Sequence, residues 1–456
     1  MEGDPRARSP RLLVLGAGPA QLGLLEAARA RGVWTAVVDR DPAAPGFALA
    51  DRRCILSTED EPAIERLAAA LGVGGLVAPG TDWPVAVAAR VAERLGLPHP
   101  LTPQAAVLAT NKLRQRERLA AAGVPQPRWW VVGAGDPLPD VAGAAVVKAP
   151  DRQGQKGLTL VLPGGDLAGA VATARGAARN GLALVEELVD GPEVTVIGFS
   201  GGGRFAALAV TDRVVADPPA FGVALAHVWP SRVLALSQDA AEAAASGAAT
   251  DHVQPPGRDV AAEATSSAAP SRTTRANDGV GAARATGSPG HVLALSQDVA
   301  RAAVAALGIT EGPSYTQLRV DGDGPKVIEV AARLGGGHDA ELVEAATGVP
   351  LNDLAIDAAL GRPLALPTPV ARVGGAVTRF LVAPPGVFEG VEVPPELERV
   401  RIYRTPGYVF TPLRRGADRA GAVLVTGASR DDAVERAEQA AQAIRFRVAS
   451  DPALAS

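Results

Sequence analysis

The sequence is short of several residue types that define particular protein classes. Its 456 residues include a single cysteine, Cys54, so no disulfide can form within the chain. A reducing compartment fits this cysteine usage. Aromatic residues make up only 4% of the chain, and the core must therefore be built mainly from Val, Leu, Ile and Ala.

Excess positive charge and long apolar runs are also missing. Lysine and arginine number 45 against 49 aspartate and glutamate residues, for a formal net charge of -4, which disfavours a broad nucleic-acid-binding surface. The first ten residues are polar, and the apolar run 12–15 is too short for a signal peptide or a membrane span. We expect a cytoplasmic protein that binds neither nucleic acid nor membrane.

The N-terminal part of the chain alternates between apolar strands and helices. A strand is predicted over 11–15, a glycine-rich turn over 16–23, a helix to 31 and a strand over 34–38. This is a βαβ unit with a buried parallel sheet, and the pattern then repeats. At roughly 100–200 residues per domain the chain should hold two to four domains, and the first is expected to span 1–105.

Strands dominate the next part of the chain, in which one segment stands apart. The tract 240–290 is rich in small and polar residues, so it cannot bury enough surface to offset its ordering entropy. The heptapeptide Val233–Asp239 recurs identically as Val292–Asp298, and two copies alone argue against a solenoid. We predict a disordered insertion with a duplicated edge; without it, one amphipathic helix would end near Leu307.

The first of three motifs with candidate chemistry is a strand that ends in Lys148. It runs into a loop over 149–157 that carries two glycines and further cationic side chains. Backbone N–H groups and ammonium groups in such a loop can surround phosphate oxygens. A solvated hairpin turn is the alternative.

The second motif is an acidic connection over 184–193. Glu186 and Glu187 end one strand, and Glu193 begins the next. A nucleotide hinge would have this form, with backbone groups that read the adenine edge and a carboxylate that receives the ribose hydroxyls. An exposed acidic turn is the alternative.

The third motif is a pair of strands followed by a glycine run. Gln317 and Glu329 lie on adjacent predicted strands and offer the hard oxygen atoms that magnesium prefers. Arg333 follows and suits bidentate binding of a phosphate or a carboxylate. The three glycines 335–337 then allow the backbone to approach a charged group closely.

The order of these motifs along the chain resembles the ATP-grasp superfamily, over about 11–448 with 240–290 left out. The tail, with Phe388–Val391, Asp418–Gly421 and Val425–Gly427, looks like the C-terminal unit of amino-acid ligases and biotin-carboxylase-like members. The resemblance implies an α/β fold of ATP-grasp architecture. It has a Rossmann-like pre-ATP-grasp domain over 1–105, a two-lobed ATP-grasp domain over 106–365 with its small lid lobe within 106–200, and a small C-terminal α/β subdomain over 366–456.

The resemblance also implies an activity and its cofactors. ATP and Mg²⁺, with Mn²⁺ as an alternative ion, would activate a carboxylate as an acyl phosphate for attack by an amine or a similar nucleophile, and ADP and phosphate would leave. This is a C–N-forming ligase, close to the amino-acid ligases and the carbamoyl-phosphate-synthase-like and biotin-carboxylase-like members. A homodimer is the family-level expectation.

The site residues implied by the resemblance fall into four groups. The ATP-binding group is Lys112, Lys148, Gly154, Lys156, Gly157, Glu186, Glu187, Leu188, Val189 and Glu193. The metal would be held by Gln317 and Glu329, and Arg333 would stabilise the transition state. The acceptor substrate would meet His227, Gly335 and Gly336.

Three alternatives to this ligase stay open. Many ATP-grasp members have an asparagine two residues after the second metal ligand, where this chain has Ala331, and a non-catalytic nucleotide-binding protein would explain that departure. A carboxylase or purine-pathway-type enzyme would use bicarbonate or formate. A dehydrogenase would use the turn Gly16–Gly18 and Asp39 for a dinucleotide, although the glycine spacing is irregular.

Overall fold

A computed structural model describes residues 10–234 and 289–449 of the chain. The predicted insertion over 240–290 lies outside these ranges, apart from its end at 289–290. In the described part of the chain, no helix has the length and apolar character needed to cross a membrane.

Strands and helices alternate at first, and strands then dominate. The strands are β1 Arg11–Leu15, β2 Trp34–Asp39, β3 Arg52–Ile55, β4 Gly75–Val77, β5 Trp129–Val132, β6 Ala145–Lys148, β7 Thr159–Val161, β8 Ala183–Glu187, β9 Glu193–Gly201, β10 Arg204–Val215, β11 Ala224–Trp229, β12 Gly312–Asp321, β13 Gly324–Ala331, β14 Gly375–Leu381, β15 Gly386–Glu392, β16 Val400–Ile402, β17 Val409–Phe410, β18 Gly421–Gly427 and β19 Arg445–Ala449. The helices are α1 Leu22–Ala30, α2 Glu61–Leu71, α3 Trp83–Leu95, α4 Pro103–Ala109, α5 Lys112–Ala121, α6 Leu167–Ala177, α7 Pro289–Ala306, α8 Asp339–Thr347, α9 Leu351–Ala359 and α10 Arg430–Ala443.

The N-terminal sheet is parallel, with the strand order β3-β2-β1-β4. Its central strand β1 is buried along 12–15, as expected for a strand covered by helices on both faces. The predicted βαβ unit is confirmed. Both α2 and α3 end at a left-handed glycine, Gly72 and Gly96, which stops a helix without the steric cost that a Cβ would impose.

A second sheet, of order β5-β8-β6-β7, is antiparallel and is covered by α6. An apolar cluster that includes Trp130, Val147 and Val185 joins the sheet to the helix. This unit, which we call the lid lobe, comprises β5–β8 with α6. It carries the glycine loop between β6 and β7.

The largest sheet has eight strands in the order β13-β12-β9-β10-β11-β14-β18-β16. The hairpin between β9 and β10 turns through Gly202 and Gly203, which both have positive φ, as a two-residue hairpin loop requires. The sheet is strongly curled: Tyr315 on β12 and His227 on β11 are three strands apart, or about 14 Å in a flat sheet, yet their ring centroids are 6.5 Å apart. Its concave face therefore forms a cradle.

The convex face of this sheet packs against α7 through an apolar cluster that includes Val196, Leu318, Ala300 and Val304. Helix α7 contains the second heptapeptide copy, Val292–Asp298, and it ends at the position predicted for the helix that follows the insertion. The first copy begins in a 3-10 turn at Arg232–Leu234 and then leaves the described residues.

The C-terminal strands are divided between two sheets. Strands β14, β18 and β16 extend the eight-stranded sheet, and α10 packs on two of them. Strands β17, β15 and β19 form a separate three-stranded sheet, in which the rings of Phe388, Phe410 and Phe446 pack at tilted or edge-to-face angles with centroid distances of 5.4–5.9 Å. The domain limits expected at 105 and 365 stay predictions.

Candidate active site

A cavity of about 220 Å³ lies between the lid lobe and the concave face of the eight-stranded sheet. Seven cationic and five carboxylate side chains line it, an excess of positive charge that suits a polyphosphate ligand. The charged lining is Asp82, Lys112, Lys148, Arg152, Lys156, Glu186, Glu187, Glu193, Arg213, Arg319, Glu329 and Arg333.

Most residues expected to form the site line this one cavity. They are Lys112, Lys148, Gly154, Lys156, Glu186, Glu187, Leu188, Val189, Glu193, Gln317, Glu329 and Arg333. Four others lie outside its lining: Gly157, His227, Gly335 and Gly336. The cavity thus joins segments that are more than 200 positions apart in the sequence.

Both carboxylate oxygens of Glu186 accept hydrogen bonds from cationic side chains of the protein. Its carboxylate receives Arg116 Nε at 2.7 Å on one oxygen and Lys148 Nζ at 2.6 Å on the other. Burial alone would raise the pKa of Glu186, but the two cations lower it to about 2. Burial also lowers the pKa of Lys148, and Arg116 adds to that effect while Glu186 opposes it. Glu186 therefore holds Lys148 in place at the cavity wall and helps to keep it charged.

Gln317 and Glu329 face each other across the β12–β13 ladder. The register shifts by one residue next to this pair, so two consecutive residues of β13, Ile328 and Glu329, both reach the cavity. Lys112 Nζ lies 2.9 Å from Glu329 Oε1. Burial would raise the pKa of Glu329, but Lys112 holds it below its ordinary value.

This pair fits a magnesium ion by the chemistry of its atoms. It offers an amide oxygen and an ionised carboxylate from adjacent strands, and Mg²⁺ completes its shell with phosphate oxygens and water in such sites. Within the described ranges no group of three His, Cys, Asp or Glu side chains could hold a metal. A magnesium ion here would accordingly depend on the nucleotide for further ligands.

Arg333 is fixed by a residue of the N-terminal domain. Its Nε and Nη2 atoms both lie 2.6 Å from Asp82 Oδ1. Asp82 precedes α3, and its backbone N–H donates to Gln153 Oε1 at 2.7 Å. One residue therefore ties together the N-terminal domain, the glycine loop and the arginine.

The acidic connection presents both backbone and carboxylate groups. Leu188 N–H donates to Ala144 O at 2.9 Å, whereas no described residue accepts the N–H of Val189, which lines the cavity. Glu193 accepts from Arg213 Nη1 at 2.6 Å, so its carboxylate is ordered by a cation on the neighbouring strand β10.

The glycine loop is held at both of its sides. Gln155 has a φ of 62°, a strained conformation for a residue with a Cβ. Its side chain bridges two other segments: Nε2 donates to Gly222 O at 3.3 Å, and Oε1 accepts from Gly416 N at 3.0 Å. Together with the contact between Gln153 and Asp82, these bonds keep the loop closed over the cavity.

The glycine run 335–337 is explained by close packing. A Cβ on Gly335 would lie 2.0 Å from Asp339 Oδ2, and one on Gly337 would lie 2.4 Å from His227 Cε1. A Cβ on Gly336 would lie 3.1 Å from Gly80 O. The run therefore lets this segment cross the concave face of the sheet in direct contact with His227.

His227 is 3% exposed and sits on the concave face. Its Nδ1 lies 2.7 Å from Asp339 Oδ1, at ion-pair distance but not aligned as a hydrogen bond, and its Nε2 has no partner among the described residues. Burial would raise the pKa of Asp339, but His227 lowers it. Phe380 meets the imidazole edge-on at 5.5 Å.

The residues that a dehydrogenase would use for its dinucleotide make hydrogen bonds within the protein instead. Asp39 Oδ2 accepts the N–H of Ala17 at 2.9 Å. The buried side chain of Gln21 packs against Gly16 and donates to Pro79 O. The glycine turn is thus closed by neighbouring side chains of the same domain. This geometry does not support the dehydrogenase alternative, in which the turn would bind a dinucleotide.

Sequence reasoning missed Asp82, Arg116 and Arg213. Each is an ordinary charged residue in a helix, a strand or a turn, with no local motif around it. Arg116 could have been noted as a charge on the mostly polar helix α5, but its burial at 2% exposure depends on Glu186, 70 positions away.

Comparisons with known proteins agree with this architecture. Residues 379–449 match the family model described as L-amino acid ligase C-terminal domain 2. The uncharacterized protein y4rH of Sinorhizobium fredii (strain NBRC 101917 / NGR234) is 31% identical over 162 residues, which are 33% of this chain and 33% of that protein. The chain therefore matches about a third of the length of that relative.

Solved structures align with nearly the whole chain. The L-amino acid ligase from Bacillus licheniformis has a TM-score of 0.70 at 18% identity, over 97% of this chain and 100% of the other. The biotin carboxylase domain of Hydrogenobacter thermophilus 2-oxoglutarate carboxylase, in complex with MgADP, ADP and bicarbonate, has 0.69 at 17% identity, over 96% and 91%. Phosphoribosylglycinamide synthetase from Anaerococcus prevotii has 0.67 at 16% identity, over 97% and 100%.

Proposed function

Because the chain has the fold of the ATP-grasp superfamily, we propose that it is an ATP- and magnesium-dependent ligase that joins a carboxylate to an amine. The observation that carries the proposal is the pairing of Gln317 with Glu329 in a cavity rich in cations. The matched C-terminal domain favours an amino-acid ligase among the activities of this fold.

In the first step, a carboxylate oxygen of one substrate attacks the γ-phosphorus of ATP. The bond from that phosphorus to the β,γ-bridging oxygen breaks, and ADP keeps the electron pair. Lys112, Lys148 and Lys156 would offset the charge of the phosphates, and Arg333 that of the transferring group. A bound magnesium ion would supply further charge compensation at Gln317 and Glu329.

In the second step, the amine nitrogen attacks the acyl carbon, the C–O bond to phosphate breaks, and the amine loses a proton. The closed glycine loop would exclude water from the acyl phosphate. The N–H of Val189 would meet the adenine, and the carboxylates of Glu187 and Glu193 would stand near the ribose. His227 with Asp339, and the backbone at Gly335 and Gly336, would border the acceptor substrate.

The test is magnesium-dependent release of ADP and phosphate from ATP, measured against a panel of amino acids and other carboxylates, alone and in pairs. A particular pair should stimulate release, and Glu329→Gln and Arg333→Ala should abolish the stimulation. Glu396→Gln and Arg204→Ala make the same chemical changes at exposed positions outside the cavity and should leave it intact. Absence of ATP binding would refute the proposal.

Bicarbonate and formate belong in the same panel, because the biotin carboxylase domain that shares this fold was solved with bicarbonate and favours a second candidate. Stimulation by bicarbonate or formate alone would identify a carboxylase or a purine-pathway-type enzyme. ATP binding without stimulation by any substrate would identify a non-catalytic binding protein. Light scattering would test the homodimer that we also propose for the chain.

A further inference from the structure

Arg419, on the segment before β18, lies against Phe380, which in turn contacts His227, a residue expected to border the acceptor substrate. Its guanidinium stacks on the ring of Phe380, 3.8 Å from the centroid, and the same ring meets His227 edge-on at 5.5 Å between centroids. A Cβ on Gly337 would lie 3.2 Å from the tip of the same ring. Arg419 is therefore a neighbour of the glycine run and of the His227–Asp339 pair.

Arg419 differs in its charge balance from three buried or partly buried arginines at the nucleotide cavity. Arg116, Arg213 and Arg333 are each paired with a carboxylate at 2.6–2.7 Å. No carboxylate of the described residues lies within 4.0 Å of the Arg419 guanidinium, which is half-buried. Partial burial of a cation without an anion is unfavourable, so this position is suited to an anion that is not part of the chain.

The hydrogen bonds of Arg419 orient its free edge. Nε donates to Gly416 O at 2.8 Å, and Nη1 donates to Ala224 O at 3.4 Å. Nη2 has no acceptor in the described part of the protein. Two carbonyls and one aromatic ring therefore fix the guanidinium plane and leave one amino group to donate.

Arg419 is also connected to the closed glycine loop. Gly416, which accepts from Arg419, donates its own N–H to Gln155 Oε1. Gln155 in turn donates to Gly222 O, and Gly222 lines the nucleotide cavity two residues before Ala224. The segment that orders Arg419 is thus hydrogen-bonded to the loop that closes the nucleotide cavity.

We propose that Arg419 binds the carboxylate of the second, amine-bearing substrate and selects nucleophiles that carry an anion beside the amine. The inference rests on the proposed ligase function. The cations at the ATP end, Lys112, Lys148 and Arg333, are assigned to the phosphates and to the carboxylate that is activated. Arg419 stands beyond His227 and Phe380, where the attacking amine would enter.

The test compares L-amino acids with their carboxamides as nucleophiles, because the amide removes the charge and keeps the size. Wild-type protein should use the acids at least about tenfold better in kcat/KM. Arg419→Gln should bring that ratio close to one, mainly through a higher KM for the acid, and Arg419→Lys should restore part of it. The KM for ATP should stay unchanged in both variants.

Arg404→Gln is the matched control, since Arg404 also stacks on a ring, that of Tyr408 at 4.5 Å, and donates to a carbonyl. It should leave the ratio unchanged. The inference is wrong if wild-type protein does not discriminate or if Arg419→Gln lowers both activities in proportion.

The proposed function can fail separately from this inference. If no carboxylate and amine pair stimulates ADP release, the ligase proposal fails. Binding of the same acids and amides by saturation-transfer NMR, with a non-hydrolysable ATP analogue and magnesium present, then decides the role of Arg419. Loss of acid binding alone in Arg419→Gln would support the anion site, and equal binding of acids by both proteins would overturn it.

Discussion

Replacement of Glu186 by glutamine should show how much the buried charge cluster beneath the nucleotide cavity contributes to the free energy of unfolding. Glu186 and Arg116 are each 2% exposed at the side chain, and Lys148 is 10% exposed. Glu186→Gln keeps the shape of the side chain but leaves two buried cations without their carboxylate. Removal of one partner from such a cluster costs about 3–5 kcal/mol.

The pKa of Glu186 leads to a similar magnitude. Its value of about 2 lies well below the ordinary 4.5, and each unit corresponds to about 1.4 kcal/mol of interaction. The ionised carboxylate therefore contributes about 3 kcal/mol. We expect Glu186→Gln to lower the free energy of unfolding by about 3–5 kcal/mol, measured by urea denaturation followed by circular dichroism.

Glu187→Gln is the matched control, because it makes the same change one residue along. Glu187 pairs with Arg128 at 3.4 Å, and the two side chains are 32% and 48% exposed. Glu187→Gln should therefore lower the free energy of unfolding by less than about 1 kcal/mol. A second readout is ATP affinity, since without Glu186 both burial and Arg116 lower the pKa of Lys148. The affinity of the variant should then rise as the pH falls. Equal losses of stability in the two variants would refute the reasoning.

Three further outcomes follow from the same contacts. Because the pKa of Glu186 is depressed, the stability that it contributes should be fully present above about pH 4.5 and be lost as the pH falls towards 2. The free energy of unfolding measured as a function of pH checks this. In Glu186→Gln the free energy of unfolding should depend less on pH over the same range. Gln155→Gly relieves a strained residue and removes both contacts of the glycine loop. Water should then reach the acyl phosphate, and more ADP should be released per amide formed. An unchanged ratio of ADP to amide would contradict the role of the loop in excluding water. Gly337→Ala should lower the free energy of unfolding by about 1–3 kcal/mol, because the new Cβ would clash with His227. Gly322→Ala, whose Cβ would have no neighbour within 4 Å, should leave thermal unfolding unchanged.

Local patterns were sufficient to predict the individual strands and helices of the first unit. The run 12–15 is apolar at every position and is completely buried in β1, so its pattern and its environment agree. The ATP-grasp fold expected from the order of the motifs is confirmed. The position of Gln317 and Glu329 on adjacent strands was also predicted, but a register shift, which the sequence pattern did not reveal, brings them directly opposite each other.

The sequence contained too little information about contacts between distant segments. Asp82 and Arg333 are 251 positions apart, and nothing in the local sequence of Asp82 distinguishes it from a surface charge. Strand β14 pairs with β11 only because the eight-stranded sheet presents an open edge there. Such pairings are decided by the assembled fold, where burial selects among many partners of similar local propensity.

The departure at Ala331 follows from its surroundings and leads to a last prediction. Ala331 is 3% exposed and faces Tyr315 across the ladder, in an apolar cluster with Leu334. An asparagine there would be desolvated at a cost of about 1–3 kcal/mol unless it found a hydrogen bond. We expect Ala331→Asn to lower the free energy of unfolding by that amount without lowering the magnesium concentration that gives half-maximal ADP release. Ala417→Asn, at an exposed position, should change neither quantity. A lower magnesium requirement at unchanged stability would show instead that the site has room for a further ligand, and that this chain has lost a metal contact its fold could still accommodate.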